Sequence, residues 1–110
     1  MMMRAEVAEQ LTKDRKEAWV GDAVLALYVR RWILANDNQL DGEKFVRFTS
    51  NDFLRAFGQP TKVEAQIGQV FEAEGLQPAF DWIETNLQPI FLQQERNYQH
   101  KLKHQKKRKG

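Results

Sequence analysis

The chain contains no cysteine. That absence excludes disulfides and thiolate metal sites, and it suits a reducing cytoplasm. No apolar run is long enough to span a bilayer. The opening residues, MMMRAEVAEQ, lack the apolar block of a secretory signal. A cytoplasmic protein without membrane association is therefore expected. Convincing β-strand alternation is missing throughout, as are internal repeats and interior low-complexity linkers. Only three prolines occur, Pro60, Pro78 and Pro89, each where a helical pattern breaks or restarts. What is present is helical periodicity. With 110 residues and 42% hydrophobic content, it predicts an all-α, single-domain bundle around one modest core.

Charge is unevenly spread. Residues 95–110 carry Arg96, Lys101, Lys103, Lys106, Lys107, Arg108 and Lys109 against Glu95 alone, a net charge of +6. The remainder holds 10 Lys/Arg against 14 Asp/Glu, a net charge of −4. The chain divides on this basis into a globular part, 1–94, and a basic helix end or tail, 95–110. The seven cations of the tail are candidate contacts for nucleic-acid phosphates or another anionic surface. His100 and His104 in the same stretch lie at metal-ligand spacing, but amid lysines they read as solvated residues.

Residues 1–13 read as a short helix with Val7 and Leu11 on one face. Asp14 to Glu17 fits a capping box, with Asp14 as N-cap of the next helix. That helix, EAWVGDAVLALYVRRW, runs from Glu17 to about Ala35, and Asn36-Asp37-Asn38 ends it. Trp19, Val20, Ala23, Val24, Leu27 and Tyr28 give it an apolar face at i, i+3, i+4 spacing. Phe45, Val46, Phe48, Phe53, Leu54 and Phe57 supply core from the next segment, with Ser50-Asn51-Asp52 as a solvent-facing stretch or helix junction. Gly58-Gln59-Pro60 is a break. A helix from Thr61 to Gly75 follows, with Val63, Ile67, Val70 and Phe71 apolar. After Leu76-Gln77-Pro78, Ala79, Phe80, Trp82, Ile83 and Leu87 face inward, Pro89 kinks or divides the helix, and Ile90-Phe91-Leu92 form a last apolar patch.

Two glycines sit inside helices, Gly21 beside Asp22 and Gly68 one turn after Glu64. Glycine in a helix interior is unfavourable by roughly 1 kcal/mol against alanine, and close approach of another helix is the usual compensation. The two notches suggest that these helices cross closely and bring Asp22 and Glu64 together. A lone carboxylate at such a crossing is unfavourable unless a metal, a base or water meets it. Thr61-x-x-Glu64 also fits a capping box, which gives Glu64 a purely structural alternative.

Trp19-Val20-Gly21-Asp22-Ala23-Val24-Leu25 resembles the signature helix of the ribonuclease III catalytic domain. Thr49-Ser50-Asn51 with Phe53-Leu54 resembles that family's Ser-Asn segment. Glu64-Ala65-x-Ile67-Gly68 resembles its second acidic signature. Three pieces stand in the family's order over roughly Ala18 to Leu92. Ala18 and Thr61 stand where typical members carry two further carboxylates, and the segment before Glu64 is compressed. With Ala before the Gly-Asp pair and no double-stranded-RNA-binding domain in the sequence, the chain looks most like mini-ribonuclease III, although that branch's additional loop is not found.

The resemblance implies a helical endonuclease domain that cleaves double-stranded or structured RNA, ribosomal RNA among the candidates. It implies Mg²⁺, with Mn²⁺ able to substitute, held by Asp22 and Glu64 as catalytic residues. A metal-activated water would leave 5′-phosphate and 3′-hydroxyl ends. Thr61 would hold a metal-bound water or cap its helix, and Asn51 would line the active-site wall or act as a cap. It also implies a symmetric homodimer, with the aromatic stripes as core or dimer seam. The alternative is a catalytically inactive RNA-binding or ribosome-associated module on the same fold.

Overall fold

A computed structural model describes residues 2–109, with side chains over 4–105. It contains six helices and no strand among the described residues: α1 (Met2–Asp37), α2 (Gly42–Thr49), α3 (Asn51–Leu54), α4 (Pro60–Glu74), α5 (Leu76–Asn86) and α6 (Gln88–Lys109). The all-α class follows from the sequence periodicity. None of the described helices is long and apolar enough to cross a membrane.

α1 does not break at Asp14. The segment from Gln10 to Glu17 holds no Gly or Pro and consists largely of good helix formers, so nothing interrupts the ladder. The Asp14 carboxylate does not cap. It is only 6% exposed and accepts a hydrogen bond from Gln10 Nε2 at 2.8 Å, with Lys62 Nζ at 3.8 Å. The short first helix is thus the opening of α1. The helix ends where the Asn-Asp-Asn segment predicts, with Asn38 in the left-handed region at φ 53°.

The buried face of α1 is only partly the one drawn from the apolar spacing: Val24 and Tyr28 are buried and Val20 packs against the core, but the other half of that stripe faces out. Ala18, Val24, Leu25, Tyr28, Val29 and Ile33 are buried, whereas Trp19 is 83% exposed and Ala23 and Leu27 face solvent. Both faces are apolar in sequence. Gly21 decides between them, because it lies against α4 and carries its helical neighbours Ala18, Leu25 and Tyr28 inward.

The core is aromatic at its centre. Phe48 of α2 stacks on Phe91 of α6 with ring centroids 4.2 Å apart and on Phe53 of α3 at 5.2 Å. Trp32 meets Phe91 edge-on at 5.6 Å, and Tyr28 meets Phe80 at 5.4 Å. Leu54, Val63, Ile67, Ala79, Ile83 and Leu87 complete the buried set. Val46 and Phe57, expected in the core, are exposed. Ser50 serves as C-cap of α2 and N-cap of α3, accepting from the Phe53 amide at 3.1 Å. Two consecutive helices therefore turn at this residue, and the apolar spacing that spans the junction no longer describes a single face. Arg47 anchors α6: its guanidinium donates to both Glu95 carboxylate oxygens, at 2.7 and 3.2 Å, and lies 4.4 Å from the Tyr98 ring centroid. α6 continues through position 94 without interruption, so the basic segment is an extension of a core helix.

Candidate active site at the α1–α4 crossing

The site begins with the two glycines. A Cβ on Gly21 would overlap the Glu64 carbonyl, and a Cβ on Gly68 would overlap the Glu17 carbonyl. α1 and α4 therefore touch backbone to backbone, a separation only Gly permits at both positions. The contact is pinned at one side by Gln69 Nε2, which donates to the Glu17 carboxylate at 2.5 Å. Asp22 follows Gly21 and emerges at the edge of the crossing. Glu64, whose carbonyl packs on Gly21, emerges from α4 on the same side. Both line one open cleft of about 640 Å³, together with Arg15, Ala18, Trp19, Ala23 and Thr61.

The Asp22 and Glu64 carboxyl groups share this cleft, and Asp22 is the charged neighbour that acts on Glu64. Burial, the hydrogen bond to Asp22 and the Asp22 charge together push the Glu64 carboxyl from 4.5 up to about 7. Near neutral pH the pair is thus short of positive charge.

Glu64 is free of the capping role that its spacing from Thr61 allows. The N-cap of α4 is Gln59, whose side-chain oxygen accepts from the Lys62 amide at 2.7 Å. Pro60 marks this boundary, since Pro favours the first helical position and so places the cap one residue earlier. Thr61 is the second residue of α4, half-buried, and lines the cleft wall. Ala18 occupies the floor and leaves it open.

Arg15 is a lining residue that sequence reasoning did not single out. It lies seven residues, or two helical turns, before Asp22 on the same side of α1, so helical spacing alone could have found it. It is the one cation lining the cleft and forms no ion pair among the described residues. A shallower depression bounded by Thr12, Arg15, Lys16 and Trp19 continues from the cleft along α1. Asn51 stands elsewhere. It is exposed at the start of α3, does not line the cleft, and leaves the capping to Ser50. Arg96, Lys101 and Lys103 are exposed on α6, and the side chains of Lys106, Lys107, Arg108 and Lys109 lie outside the described residues. Among the described residues no three His, Cys, Asp or Glu side chains converge, so the carboxylate pair stands without a third ligand of that kind.

Comparison with protein-family models, curated proteins and solved structures gives no match.

Proposed function

We propose that this protein is a Mg²⁺-dependent endoribonuclease acting on double-stranded RNA, cytoplasmic and homodimeric, which leaves 5′-phosphate and 3′-hydroxyl ends. One observation carries the reading: carboxylates from two different helices meet in an open cleft at a crossing that only glycines allow. The chemistry of the pair fits a hard divalent cation. Magnesium favours oxygen donors, keeps several waters, and is often bound through one or two carboxylates plus a substrate phosphate. Burial first, and the Asp22 carboxyl second, raise the Glu64 ionisation, and a cation between the two groups would offset both. Asp22 and Glu64 would hold the ion, and the Thr61 hydroxyl in the cleft wall would orient water beside it. When bound, the ion supplies charge neutralisation at the scissile phosphate and activation of water.

The other groups serve binding and orientation. Arg15, unpaired at the cleft edge, suits a phosphate oxygen, for which guanidinium geometry is favourable. The cations of α6 add phosphate contacts along an A-form duplex, which proteins read mainly by shape. An 83% exposed Trp19 beside the cleft favours burial by a second copy on this face.

A second reading is favoured by the ligand count. Two carboxylates hold magnesium less firmly than a larger set, which suits an inactive RNA-binding or ribosome-associated module. Incubation of long double-stranded RNA with the protein in Mg²⁺ separates the two. Discrete fragments that vanish in chelator and in Asp22→Asn support the nuclease. Intact RNA in both Mg²⁺ and Mn²⁺, with a salt-dependent gel shift that persists in chelator, overturns it in favour of the module.

A further inference from the structure

We infer that His100 and His104 on α6 form a binding site for a divalent transition-metal ion of tetragonal preference, Ni²⁺ or Cu²⁺, separate from the carboxylate pair. The two residues are four apart on one helix face, both exposed, with Nε2 atoms 3.0 Å apart. The rings stand at 85° with centroids 4.4 Å apart.

The two nitrogens already lie within reach of a single ion. Imidazole nitrogens bind first-row ions at about 2.0–2.1 Å, so two of them 3.0 Å apart subtend about 90–95° at a shared ion. A tetrahedral ion needs a wider separation, about 3.4 Å at the same bond length. Held on successive turns of one helix, the pair suits neighbouring (cis) positions of a square-planar or octahedral ion with water in the remaining positions. The Irving–Williams order places Cu²⁺ above Ni²⁺ for such nitrogen donors.

On binding, both rings turn so that their Nε2 lone pairs meet at one ion instead of facing one another. In the metal-free pair one Nε2–H donates to the other Nε2. When the ion takes both lone pairs, the donating ring moves its proton to Nδ1, and no net proton is released from a neutral pair. Neighbouring Lys101 and Lys103 oppose the cation, but their charges are exposed and screened by salt. Asp22 and Glu64 present only oxygen, which is preferred by Mg²⁺, so donor softness keeps the two sites apart. Bridging successive turns, the ion also staples the lysine-rich end of α6, where helix propensity alone gives marginal stability.

The chain has two histidines and no cysteine, so any imidazole ligation is assignable without ambiguity. The full chain is titrated with Cu²⁺ and Ni²⁺ separately, by calorimetry and by electron paramagnetic resonance for copper. The expected result is one site per chain with two nitrogen ligands. His100→Ala and His104→Ala should each weaken it by about tenfold or more, since the second ligand then no longer binds intramolecularly. Amide exchange between positions 97 and 105 should slow on binding. Asp22→Asn should leave the copper site unchanged. A titration without binding, affinity unchanged in both His variants, or a spectrum lacking two nitrogens overturns the inference. Both positions are exposed, so circular dichroism of the variants should match the parent.

Discussion

Replacing Glu64 by Gln should stabilise the protein at about pH 8 and leave it nearly unchanged at about pH 5. The sign follows from the direction of the shift. Glu64 titrates at about 7 in the folded chain against 4.5 ordinarily, so the folded state holds its proton more tightly than the unfolded state does. The associated stability is fully present below 4.5 and is lost as pH rises through about 7. A shift between those values corresponds to at most about 3.4 kcal/mol. The carboxyl is half-buried, so solvent screens much of this, and about 1–2 kcal/mol is the expected loss. Gln at position 64 keeps a donor toward Asp22, as protonated Glu64 does, but never acquires the second negative charge. The variant should therefore gain about 1–2 kcal/mol at the higher pH, a rise in Tm of roughly 5–10 °C for a domain of this size. Urea unfolding of both proteins in chelator, followed by circular dichroism at the two pH values, measures it. An equal difference at both pH values, or a variant less stable at the higher pH, refutes the reasoning.

Gly21→Ala should destabilise by about 3 kcal/mol or more, since its Cβ overlaps the Glu64 carbonyl, although the same change on an open helix face would stabilise. Chemical denaturation of this variant beside an alanine at exposed Gln66 provides the comparison. Arg47→Ala should lose about 1–2 kcal/mol, because it removes both hydrogen bonds to Glu95 and the Tyr98 contact together. Its amide exchange should accelerate over α6 from Glu95 onward. Tyr28→Phe should lose about 1 kcal/mol by leaving Gln88 Oε1 without its donor, as read by thermal unfolding.

The helices were legible because their boundaries carry local chemistry: Asn38 after α1, Gly58 and Pro60 before α4, and Gly75 after it. The meeting of Asp22 and Glu64 was legible for a different reason. A helix-interior glycine is unfavourable unless another backbone approaches, so two of them mark a crossing in advance. The face of α1 was only half legible: Val20, Val24 and Tyr28 do face the core. Trp19, Ala23 and Leu27 form as good a stripe as Ala18, Leu25 and Val29, and only the partner at Gly21 chooses between them. Capping was misread at both Asp14 and Thr61, because the short pattern occurs by chance among polar residues. At Asp14 the carboxylate meets a glutamine and a lysine instead, and at Thr61 proline fixes the helix start one residue earlier. Arg15 was overlooked although its place two turns before Asp22, on the same side of α1, could be read from helical spacing.

The central claim is that Asp22 and Glu64 together hold a divalent cation. Amide spectra of isotope-labelled protein recorded during Mn²⁺ addition, with His100 and His104 replaced by Ala, test it most directly. The account predicts broadening that starts around Asp22 and Glu64, spreads to neighbours on α1 and α4, reverses with excess Mg²⁺, and disappears in Asp22→Asn. Broadening scattered over exposed acidic residues, or unaltered in Asp22→Asn, would contradict it.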